Sequence, residues 1–62
     1  MSWEKFYKIY EANEVVIGFE KIGYASVRLY WADGSYDEFK TLEDAVRAIR
    51  ENALASGDTF NE

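Results

Sequence analysis

The sequence predicts an α+β fold, a four-stranded antiparallel β-meander followed by one C-terminal α-helix packed on one face (ββββα), with residues 3–11 open to a helical reading instead. Three patterns predict it. Leu42, Ala45, Val46, Ile49 and Ala53 recur at helical spacing. Tyr24 to Trp31 and Tyr36 to Lys40 alternate on either side of an Asp33-Gly34 turn signal. An earlier stretch, Val15, Ile17 and Phe19, alternates in the same way.

Residues 3–11 are the most ambiguous element. Trp3, Phe6, Tyr7 and Tyr10 match helical spacing, yet Phe6-Tyr7-Lys8-Ile9-Tyr10 is rich in strand formers. The short Ala12-Asn13 connection suits a hairpin and favours the strand. The second strand directs Val15, Ile17 and Phe19 inward and ends near Lys21-Ile22-Gly23. Within it Gly18 reads as a bulge or bend, and Gly23 as a turn. On the third strand Ala25, Val27, Leu29 and Trp31 share the inner face, with Tyr24, Ser26, Arg28 and Tyr30 outside. On the fourth, Phe39 and Asp37 oppose Tyr36, Glu38 and Lys40, and Phe39 is the inward residue.

Thr41 with Asp44 three residues on makes a capping-box-like start for the helix, and Glu43 and Asp44 suit the positive end of its dipole. Gly57 closes it. The expected core is Val15, Ile17, Phe19, Val27, Leu29, Trp31, Phe39, Leu42, Val46 and Ile49. One helix cannot cover four strands, so the opposite sheet face is either solvated or used. Residues 1–57 make one small domain, and 58–62 a flexible tail with little reason to order unless Phe60 docks.

The chain has 62 residues, with 7 Lys+Arg against 12 Asp+Glu for a net charge of −5, and no Cys, His or Pro. A hydrophobic fraction of 48% sets it apart from disordered chains. Without Cys or His there is no disulfide, no thiolate nucleophile, no cysteine metal site and no imidazole ligand or base. A carboxylate pair, a Lys or an activated Ser or Thr would need a partly dry pocket that so short a chain rarely encloses. The expectation is a non-enzymatic protein without metal or cofactor. No apolar run approaches the roughly 20 residues of a membrane span, and Met1 to Lys5 lacks a basic region followed by an apolar stretch. The reading is a cytoplasmic protein with no membrane partner.

Two constellations could carry function. Asp33, Asp37, Glu38, Glu43 and Asp44 form the densest acidic stretch, offset only by Lys40. Asp33-Gly34-Ser35-Tyr36 resembles the middle of a calcium-binding EF-hand loop. The first, third and twelfth ligand positions would fall on Leu29, Trp31 and Lys40, which excludes that site. A hairpin turn, a solvated strand and a helix start account for the same acids structurally. Functionally they read as a patch that meets another protein with a basic surface, imitating a phosphate row in a nucleic-acid-binding cleft. Very small acidic proteins of phages and mobile elements act as such inhibitors, and this chain is similar to them in size and charge alone.

The second constellation is the outward sheet face, where Tyr24, Arg28, Tyr30 and Tyr36 could stack bases and meet phosphates of single-stranded nucleic acid. Glu14, Glu20 and Glu38 on that face and the acidic balance make this the alternative. The same tyrosine bodies also suit a two-fold homodimer, so a structural small dimer is a third reading.

Overall fold

In the computed structural model, which describes residues 1–62, Ser2 acts as an N-cap, its hydroxyl oxygen accepting the Lys5 backbone N–H at 3.2 Å. Helix α1 (Trp3–Ala12) follows it. The expected first strand is thus overturned, for a reason of spacing. Alternation would set Lys5 between Trp3 and Tyr7 on one face, and Glu4 and Lys8 around Phe6 on the other. A helical turn instead buries Phe6 and Ile9 together, with Trp3 and Tyr10 packed beside them. Glu4 lies in the first turn, at the positive end of the dipole.

Three strands come next, β1 (Val16–Lys21), β2 (Val27–Trp31) and β3 (Tyr36–Phe39), then helix α2 (Leu42–Ala55). The sheet is antiparallel in the order β1-β2-β3. The fold is therefore α+β with a three-stranded sheet and two helices, not a four-stranded meander with one helix. The β2–β3 turn is closed by Gly34 at φ +95°, a backbone conformation that an L side chain resists. Thr41 caps α2 as expected, its hydroxyl accepting the Asp44 N–H at 3.2 Å.

Register in β1 corrects a second expectation. A bulge lies between Val16 and Gly18, so Val16 pairs with Trp31 and Gly18 with Tyr30. The inserted residue reverses the facing of its neighbours. Val16 is 4% exposed and joins the core, whereas Ile17, expected inside, is 64% exposed. Phe19 regains the inner side opposite Leu29. Around its ring gather Phe6, Tyr10, Tyr7 and Trp3, at centroid distances of 5.4, 4.9, 6.1 and 6.4 Å.

The buried cluster joins Phe6 and Ile9 of α1, Val16, Val27, Leu29 and Trp31 of the sheet, and Leu42, Ala45, Val46 and Ile49 of α2. Both helices consequently cover the same sheet face. Val15, Phe19 and Phe39 lie half-buried at its margin. The helices run side by side in parallel. At one end the amino group of Met1 donates to the Glu43 carboxylate at 2.7 Å, and at the other Asn13, past α1, meets Asn61, past α2. No helix is long and apolar enough to cross a membrane.

Candidate functional site

β3 is an edge strand that carries two of the five acidic residues, and Glu43, in α2, turns instead toward Met1 at the start of α1. Asp33 lies in the turn before β3, Asp37 and Glu38 in β3, and Glu43 and Asp44 in the first turn of α2. They do not share a face. Asp37 opposes Leu29 and so lies on the helix side of the sheet, while Glu38 opposes Arg28 on the bare side. Charges on an edge strand also discourage pairing with a foreign strand.

Each of four carboxylates is held through a single oxygen by a donor of this chain. Asp33 Oδ1 accepts the Ser35 hydroxyl at 2.6 Å and the Ser35 N–H at 2.9 Å. Asp37 Oδ2 accepts the indole N–H of buried Trp31 at 2.7 Å. Glu38 Oε2 accepts from Arg28 Nε at 2.8 Å, and Glu43 Oε2 from the Met1 amino group. Asp44 approaches Arg47 only at 3.9 Å. The Ser35 donors hold the Asp33 carboxyl below its ordinary range, and the Met1 amino group does the same for Glu43.

The bare sheet face has two cross-strand rows. Glu20, Arg28 and Glu38 form one; Gly18, Tyr30 and Tyr36 form the other. The Tyr30 and Tyr36 rings lie 6.0 Å apart, and the Arg28 guanidinium lies 5.4 Å from the Tyr36 centroid. Arg28 also donates to the Tyr30 hydroxyl and to Glu20, each at 3.3 Å. The bonds to Tyr30 and Glu38 push its already high pKa further up. Its donors thus face protein acceptors from its own strand and both neighbouring strands. Tyr24 does not join this face. It lies in the β1–β2 connection, 96% exposed, with its carbonyl accepting the Trp3 indole N–H at 3.0 Å.

Sequence reasoning missed Asn13, the one buried polar residue, 5% exposed. Its carboxamide donates to the Ile9 carbonyl at 2.8 Å and the Asn61 carbonyl at 2.6 Å, and accepts the Asn61 N–H at 3.0 Å. The condition under which the tail had reason to order is met at Phe60, which packs half-buried against the core with Arg50 5.1 Å from its ring. The signal that could have found this was an apolar residue at position 60 in an otherwise polar tail.

Surface depressions reach about 340 Å³ and are open to solvent. No three acidic side chains converge closely enough to hold a metal ion. The candidate site is thus a surface rather than a cleft, and no family model, curated protein or solved structure matches this chain.

Proposed function

We propose that this chain is a small non-enzymatic interaction module that binds a basic surface of another protein through the acidic edge of β3 and the start of α2, and acts by occupying that surface. One observation carries the reading. Asp33, Asp37, Glu38 and Glu43 are each oriented by an in-chain donor on one oxygen, leaving the other free to accept from a partner's Lys or Arg. Acceptors held in advance lose less freedom on binding than solvated ones, and a net charge of −5 speeds encounter with a basic partner.

The test is capture from native lysate at low and high salt, comparing the wild type with a Glu38→Lys, Asp44→Lys variant. The expected result is one partner retained at low salt, released at high salt and lost by the variant while its circular dichroism is unchanged. Retention of the same partner by the variant would sink the acidic-edge reading. Nucleic acid alone on the wild type would move the assignment to the Arg28, Tyr30 and Tyr36 face.

A further inference from the structure

Where the two helices end lies a groove separate from the acidic edge. α1 and α2 run parallel, so their negative dipole ends lie together, and neither last turn carries a basic residue. The ends are closed differently. Ser56 and Gly57 (φ +80°) finish α2 in a Schellman turn, with the Gly57 N–H donating to Leu54 and the Asp58 N–H to the Ala53 carbonyl at 2.8 Å. Asn13 finishes α1, and its buried carboxamide grips the backbone of Asn61 in both directions, donating to its carbonyl and accepting its N–H.

That two-way grip recognises backbone, whatever the side chain. The segment it holds belongs to no helix or strand, and its further anchors are half-buried Phe60, the Asn61 carboxamide donating to the Ala12 carbonyl at 3.4 Å and the exposed Arg50–Glu62 pair at 3.4 Å. A cavity of about 220 Å³ stays open beside it, between Ala12 to Val15 and Ala53. The segment is also poorly matched in charge. Asp58 follows the negative end of α2, and Glu14 lines the cavity, where a cation is the favoured group.

We infer that the groove between the ends of α1 and α2 is a binding site for an extended peptide segment of another protein. That segment carries a basic residue two positions before an aromatic one, and the chain's own Asp58–Glu62 is a displaceable resident. Asn13 supplies the backbone recognition, the Phe60 seat takes the aromatic ring, and the paired helix ends with Glu14 take the cation. A tethered segment acts at an effective concentration in the millimolar range, so a competing peptide must exceed the resident's contacts to be seen below that range. The basic residue supplies the excess.

The probes are two capped pentapeptides, Lys-Thr-Phe-Asn-Glu and Asp-Thr-Phe-Asn-Glu, titrated into the full isotope-labelled chain and followed by NMR. Expected are saturable shifts at the Asn13 side-chain amide and the Ala53 amide, with Asn61 moving toward unstructured positions, and roughly 2- to 5-fold tighter binding of the Lys peptide. Phe60→Ala, which loosens the resident, should tighten both peptides, and Asn13→Asp, which removes the donor pair, should abolish both. No saturable shift on the wild type at several millimolar peptide overturns the site, whether or not either variant folds. Equal affinity for the two peptides overturns its preference for a basic ligand.

Discussion

Val16 and Ile17 are adjacent β-branched residues that a strict two-residue period treats as interchangeable in kind and opposite in facing. The bulge before Gly18 decides which of them is core. Truncating Val16 to Ala removes two buried methyl groups and should cost about 2 kcal/mol by transfer alone. Ile17→Thr, at an exposed position that keeps its β-branch, should stay within about 0.5 kcal/mol. Chemical denaturation of the two variants measures both. The reverse order would mean that the register runs without the inserted residue. Asn13 makes a similar point, since an Asn after a helix reads as an ordinary cap and its burial depends on a segment 48 residues away.

At the scale of elements, local rules decided where helices begin and end more firmly than what residues 3–11 would become. Thr41 and Gly57 bracket α2 as their chemistry requires, and the Asp33-Gly34 pair closes the β2–β3 turn. Gly57→Ala forces an L side chain into a left-handed backbone and should lower stability by about 1–2 kcal/mol. It should also weaken the Asp58 N–H bond to Ala53, read as faster hydrogen exchange at Asp58 than in the wild type. Unchanged exchange would show that the tail, rather than the glycine, holds that turn. The first helix was harder to read because aromatic residues serve strand and helix alike. What settled it was the number of apolar side chains that must meet Phe19, which only the helical period brings to one side.

For the molecule as a whole, charge and core pull apart. Twelve carboxylates surround a core cluster of only 10 residues, so acid stability depends on which carboxylates gain from folding. Asp33 and Glu43 do, because their folded-state pKa values lie below the ordinary range. Their contribution is complete above that range, near pH 4, and disappears as the pH falls through the lowered values. Thermal melts between pH 7 and pH 2 should show the wild type losing more melting temperature below pH 4 than an Asp33→Asn, Glu43→Gln variant. Parallel curves would show that neither carboxylate gains from its partner. Covering one sheet face with both helices leaves the other bare, so the surface balance is set by architecture as much as by composition.

Sequence alone determined the α+β class, the hairpin, the capped second helix and most of the core, because each rests on periodicity and turn chemistry within a dozen residues. It also identified the acidic residues, since charge is a property of composition. Tertiary structure decided the rest. It turned residues 3–11 into a helix, exchanged Val16 for Ile17, split Asp37 from Glu38 across the sheet and brought Asn13 to Asn61. Those outcomes depend on partners distant in the chain, and a spacing rule carries no information about what will lie opposite a residue once the layers close.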